Sequence, residues 1–153
     1  MQRRVFLATA AAVSVAGCSV FGEEDEYDIG MTRMDFTPER LKVPVDTTVV
    51  WQNTSGARHT VTAYDALIPE GAVYFATGGY ESEAAARAAW ERGEGGIDPG
   101  ETFEHTFTVP GEHRYVCIPH EQGGMDGVIV VEESLGQGPS EPGNHYIAGF
   151  RRQ

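Results

Sequence analysis

From Ile29 onward, apolar and polar positions alternate in short runs that are broken by turn residues. Leu41-Lys42-Val43-Pro44-Val45 alternates and turns at Asp46, and residues 47–52 (TTVVWQ) are β-branched and aromatic until Asn53-Thr54-Ser55-Gly56 interrupts them. Residues 59–64 resume as a strand. Residues 102–109 place Phe103, His105, Phe107 and Val109 on one face and Thr102, Glu104, Thr106 and Thr108 on the other. Pro110-Gly111 turns the chain into a strand over 112–118, and residues 127–132 (GVIVVE) end the series. Runs of this length and period, joined by Gly, Pro and Asn turns, predict an all-β Greek-key sandwich.

One segment departs from that texture. Residues 82–92 (SEAAARAAWER) combine a capping serine, an early acid, late arginines and Gly93 as a stop. The pattern predicts a short helix with Ala86, Ala89, Trp90 and Gly93 on one face, Trp90 anchoring it on the sandwich. No internal repeat is visible.

The amino terminus reads as a targeting segment rather than as part of the fold. Arg3-Arg4-Val5-Phe6-Leu7 resembles a twin-arginine export signal, and the apolar run of residues 5–16 is shorter than the about 20 residues a membrane-spanning helix needs. Val15-Ala16-Gly17-Cys18 resembles a lipobox, which makes Cys18 the expected lipidation site. The expected organisation is an export signal at 1–17, a lipid-anchored acidic linker at 18–28, a folded domain at 29–133 and a C-terminal tail at 134–153 carrying His145, Tyr146, Ile147 and Phe150. The reading is a protein exported to the outer face of the cell membrane.

Charge sharpens this picture. The 153 residues hold 11 basic and 23 acidic side chains; removing 1–17 takes away two arginines and no acids, leaving a net charge of −14 with Lys42 as the one lysine. No basic nucleic-acid footprint exists, so nucleic acid is excluded as a partner. The acids are scattered, with Glu23-Glu24-Asp25-Glu26 as the one run, read as a solvated tether. An acidic surface nearly devoid of lysine resembles the proteins of salt-loving archaea.

Cysteine usage points to chemistry. With Cys18 lipidated, Cys117 stands alone in an oxidising compartment, where a free thiol survives if buried or metal-bound. It opens the spacing Cys117-x2-His120-x4-Met125 in a loop between two predicted strands, and His59 starts another strand 58 residues upstream. A thiolate, two imidazoles and a thioether form the donor set of a blue-copper site, soft enough for Cu(I) and nitrogen-rich enough for Cu(II). Methionine is a poor zinc ligand, so zinc fits less well. Cys117 and His120 as nucleophile and base lack any recognisable orienting partner or oxyanion loop. His105 and His113 occupy inward strand positions and read as packed residues, while Met31 and Met34 read as core or surface residues of the first strand.

These residues, together with Phe36-Thr37-Pro38, Val49-Val50-Trp51-Gln52-Asn53, Ile68-Pro69-Glu70-Gly71 and Pro99-Gly100-Glu101-Thr102-Phe103, resemble the plastocyanin-type cupredoxins, most of all the halocyanin group of haloarchaeal, membrane-anchored blue copper proteins. The resemblance covers roughly residues 28–133. It implies a sandwich of about eight strands and one copper ion held by His59, Cys117, His120 and Met125. It also implies one-electron transfer between membrane-bound donor and acceptor proteins by a monomer that is not an enzyme. The rival reading is a carrier that delivers copper instead of electrons. Two departures stand out: Val116 replaces the tyrosine that often precedes the ligand cysteine, and Thr60 replaces an asparagine, which predicts a weaker brace on the ligand loop. The helical segment is also longer than its plastocyanin counterpart. His120 is the expected electron port, ringed by an apolar collar of Pro119, Ile68, Pro69, Gly123 and Gly124.

Overall fold

The computed structural model describes residues 26–133. The export signal, Cys18, most of the acidic linker and the tail with His145, Tyr146, Ile147 and Phe150 lie outside the described residues.

Among the described residues, eight strands form two four-stranded sheets. The strands are β1 (Ile29–Met31), β2 (Phe36–Thr37), β3 (Arg40–Pro44), β4 (Thr47–Asn53), β5 (Thr62–Ala63), β6 (Thr102–Phe107), β7 (Gly111–Val116) and β8 (Asp126–Glu132). One sheet has the order β2-β1-β4-β6 and the other β3-β8-β7-β5. The β1–β4 and β3–β8 pairs are parallel and the rest antiparallel. The Greek-key sandwich expected from the alternation is therefore present, with β3, β4, β6, β7 and β8 within a residue or two of their expected places.

Alternation decides which face of each strand is buried. In β4, Val49, Trp51 and Asn53 point inward, and in β6 Phe107 does so fully while Phe103 and His105 are half-buried. Trp51 sits at the centre: Phe103 lies 5.5 Å from it, Tyr115 5.5 Å away edge-on, and Phe75 and Phe107 at 6.2 Å. Such offset and edge-on packing adds about 0.5–1.5 kcal/mol per pair beyond area burial. His113 is buried against Phe107, its Nε2 bonded to the Val109 carbonyl, and His105 stacks on Phe75, so both are packing residues as expected. Met31 is a core residue of β1, but Met34 lies beyond the end of that strand and is exposed.

The segment expected as a strand over 59–64 belongs to a sheet at Thr62 and Ala63 alone. Before that it is extended but pairs with loops: His59 exchanges both backbone hydrogen bonds with Ile97, and Val61 accepts from Thr77. The helix α1 (Glu83–Glu91) forms where expected, with the Ser82 side chain accepting from the Ala85 amide and Gly93 just past its end. Ala86 and Ala89 are its buried face. Trp90, expected to anchor the helix on the sandwich, is half-buried and outside the core cluster, and it carries the Arg58 guanidinium over its ring at 5.5 Å.

Candidate metal centre

Two structural elements deliver the donors. β7 runs out at Val116, and Cys117 follows it into a 3-10 turn (Ile118–Gly123) that Pro119 starts and Gly124 closes in the left-handed region at φ 84°. The loop is tied across its base: the Cys117 amide donates to the Met125 carbonyl at 2.9 Å, and the Met125 amide donates to the His120 carbonyl at 3.2 Å. His59 arrives from the β4–β5 connection, locked by its pairing with Ile97.

These elements bring the side chains of His59, Cys117 and His120 together, their donor atoms all within 4.8 Å of one another. The Cys117 sulfur lies 3.5 Å from His59 Nδ1 and 3.3 Å from His120 Nδ1. For metal–nitrogen and metal–sulfur bonds of about 2.0 and 2.3 Å at tetrahedral to trigonal angles, nitrogen and sulfur should stand ~3.5–3.7 Å apart. Both sulfur–nitrogen separations are thus near those of a metal-holding site. Met125 is fully buried and joins the same core cluster as Cys117.

Burial holds the donors in their neutral forms when no metal is bound. Burial pushes the Cys117 thiol up to about 11, against the pull of the Thr60 amide, which donates to the sulfur at 3.4 Å. A thiol so placed becomes a thiolate at neutral pH when a metal ion supplies the positive charge. Burial, with the His120 charge as the second cause, lowers His59 to about 4, leaving a neutral imidazole as a metal ligand requires.

The surrounding hydrogen bonds orient the two rings differently. His59 Nε2 meets the Ser55 hydroxyl at 2.8 Å. With Nδ1 facing the sulfur, Nε2–H donates to Ser55 Oγ, and Ser55 Oγ–H donates to Asn53 Oδ1 at 3.0 Å. The Asn53 amide then donates to the Ala57 and Ile97 carbonyls, closing a relay in which each group has a partner. His120 Nε2 has no hydrogen-bond partner among the described residues, and its ring is partly exposed.

Two expectations need correction. The brace expected to weaken at Thr60 is intact: its hydroxyl accepts from the Ile118 amide at 2.8 Å, because a threonine beside His59 sits close enough to the loop for a short side chain to reach. The apolar collar is misassigned at Ile68 and Pro69. A Cβ on Gly111 would lie 2.8 Å from Pro69 Cγ, which puts this segment at the opposite end of β7, about 20 Å of strand from Cys117. Pro119, Gly123 and Gly124 are indeed at the loop, and Met34 replaces the missing pair: a Cβ on Gly123 would lie 2.6 Å from its methyl carbon, and Met34 is 39% exposed. No local pattern marks Met34, since its neighbours in the turn are polar.

Sequence analysis also missed Arg87. Its guanidinium grips Glu121, the residue after His120, through Nη1 to Oε2 at 2.7 Å and Nη2 to Oε1 at 3.0 Å. This pair holds the Glu121 carboxyl below the usual range and raises Arg87 further. An arginine in a helix facing a glutamate 34 positions away leaves no signature in either local motif.

Comparison with known proteins adds the lineage. The sequence profile of copper binding proteins of the plastocyanin/azurin family matches residues 23–132. The chain is 29% identical over 99 residues to the chloroplastic plastocyanin of Chlamydomonas reinhardtii, a stretch that is 65% of this chain and 59% of that protein. It is 34% identical over 98 residues to the halocyanin of Natronomonas pharaonis, covering 63% of this chain and 48% of that protein. The chain thus spans about half to three fifths of these two relatives. Among solved structures, a reduced amicyanin carrying a tryptophan-to-tyrosine substitution superimposes with a TM-score of 0.50 at 23% identity, over 71% of this chain and 84% of that one, a likeness of fold.

Proposed function

This chain belongs to the plastocyanin/azurin family of copper binding proteins, and from that premise we propose that His59, Cys117, His120 and Met125 hold one copper ion and that the protein carries single electrons between membrane-bound donors and acceptors at the outer face of the cell membrane. The observation that carries this reading is the buried thiol flanked by two Nδ1 atoms at 3.3 and 3.5 Å. Copper in such a donor set supplies a one-electron Cu(I)/Cu(II) couple.

The protein's own residues do the rest. The Cys117 sulfur is itself shielded from water and accepts from the Thr60 amide. The Ser55–Asn53 relay fixes the His59 tautomer, so little has to reorganise when charge changes. The partly exposed His120 ring offers the edge through which an electron passes, with Pro119, Gly123, Gly124 and Met34 around it as a small, weakly binding contact. Four donors leave no open position for a substrate, which supports a carrier rather than an enzyme.

Adding Cu(II) to the metal-free protein tests this directly. An intense blue thiolate-to-copper band, bleached reversibly by reductant and absent in Cys117→Ser, is the expected result. A colourless complex that yields its copper readily to a recipient would replace electron transfer with copper delivery. For location, the sequence Val15-Ala16-Gly17-Cys18 supports a lipid anchor, and Cys18→Ala should move the protein from the membrane fraction to the soluble one.

A further inference from the structure

The helix α1 touches the polypeptide beside both histidine ligands. On one side, Arg87 makes its two-pronged bond to Glu121, next to His120. Tyr64 adds a hydroxyl donor to the same carboxylate at 3.1 Å. On the other side, Arg58, next to His59, donates to the carbonyl of Gly93 at the helix end at 2.8 Å, lies over the ring of Trp90, and pairs with Asp98 at 3.1 Å. The helix is itself pinned at its start: Glu83 and Asp65 exchange backbone-to-carboxylate bonds at 3.0 and 3.1 Å, and Glu83 also holds the Arg87 guanidinium. A single rigid element thus has three points of attachment, two of them one residue away from a histidine ligand.

The donors themselves come from separate pieces of chain, and the loop holding His120 contributes no buried side chain from its 3-10 turn. Hydrogen bonds across its base hold Cys117, His120 and Met125, and the Gly124 amide closes the turn on the Glu121 carbonyl at 3.0 Å. These backbone bonds leave the Glu121 side chain to partners from outside the loop. Guanidinium–carboxylate forks are rigid and directional where a single lysine contact is not.

We infer that α1 is a positioning element for the metal centre, with Arg87 through Glu121 setting His120 and Arg58 setting His59, so that the imidazole pair is held at ligand spacing before copper arrives. The inference rests on the copper reading for its purpose, but its structural half is tested without metal.

The test uses the full chain with Arg87→Gln, Glu121→Gln and Arg58→Gln, and with Arg92→Gln as a control that breaks an exposed ion pair to Glu94 at the end of the same helix. In the metal-free protein, amide hydrogen exchange at residues 120–124 should speed up about tenfold in Arg87→Gln and Glu121→Gln, and at residues 58–60 in Arg58→Gln, while β4, β7 and β8 stay protected. In the Cu(II)-loaded protein, copper release to a chelator should quicken about tenfold in the same three variants, the scale of lost outer-shell support. Arg92→Gln should change neither. Exchange within about twofold of the parent in Arg87→Gln and Glu121→Gln overturns the inference, as does an equal change in Arg92→Gln or a rise spread over every strand. A parent protein that takes up no copper sinks the copper reading and leaves the exchange result to decide the role of α1.

Discussion

His59 and His120 present the same imidazole nitrogen to the same sulfur, yet the protein treats them as opposites. His59 is wholly buried, both its nitrogens engaged and its backbone paired to Ile97. His120 rides on a 3-10 turn with one nitrogen free of protein partners among the described residues and its ring partly exposed. One histidine is part of the frame; the other is the proposed port. The difference teaches how a metal centre is made both rigid and reachable: the burden of rigidity falls on one arm, and access is granted on the other.

The strongest way to break this contrast is to remove each ring in turn. His120→Gly should lose the blue band and regain it when imidazole is added, because the vacated place opens to solvent. His59→Gly should lose it without rescue, and equal rescue of both variants, read in the visible spectrum, would erase the asymmetry. Next in size is the response of the metal-free protein to acid. The unfolded chain takes up a proton on this histidine near its ordinary 6.5, whereas burial delays uptake in the folded protein to about 4. Folding stability should therefore fall as pH drops from 6.5 to 4 and level off below, by up to about 3 kcal/mol from this residue. Copper on Nδ1 should keep that slope and carry it below pH 4, because a metal-bound imidazole takes no proton until the metal leaves; urea unfolding at several pH values measures both.

Smaller effects probe the supports. Ser55→Ala strands His59 Nε2 and the Ala57 amide, while Asn53 Oδ1 keeps its bond from the residue 55 amide, and should destabilise the metal-free protein by about 1–2 kcal/mol. Thr60→Val keeps the shape but removes the acceptor for the Ile118 amide, an expected loss of about 1 kcal/mol felt on the loop side. Denaturant midpoints at constant slope check each value. A Thr60 effect larger than that of Ser55 would mean that the loop, not the frame, carries more of the site.

Much of this is legible in the chain alone. The alternation at 102–109 reveals β6 because a half-buried strand leaves a period-two trace, the apolar run at 127–132 reveals β8 as a strand buried on both faces, and the Cys-x2-His-x4-Met spacing is readable because one short loop carries all three residues. Proximity is what the chain conceals. Ile68 and Pro69 follow a strand that starts near the metal end, but antiparallel pairing of β5 with β7 carries the chain away from Cys117. The identity of Thr60 does not disclose its reach. Arg87 and Glu121 meet because a helix folds back over a loop, and such an encounter depends on the packed sandwich.

The base of the ligand loop has a consequence in time as well as in space. β7 and β8 are neighbours along the chain, so their hairpin closes over few residues, whereas His59 must be brought in from 58 positions away. Near contacts form sooner than distant ones because less chain entropy is lost in closing them. A refolding molecule should therefore bring Cys117, His120 and Met125 together as a half-site first. Copper met at that moment would find three of its four proposed donors on one hairpin, with His59 still to come.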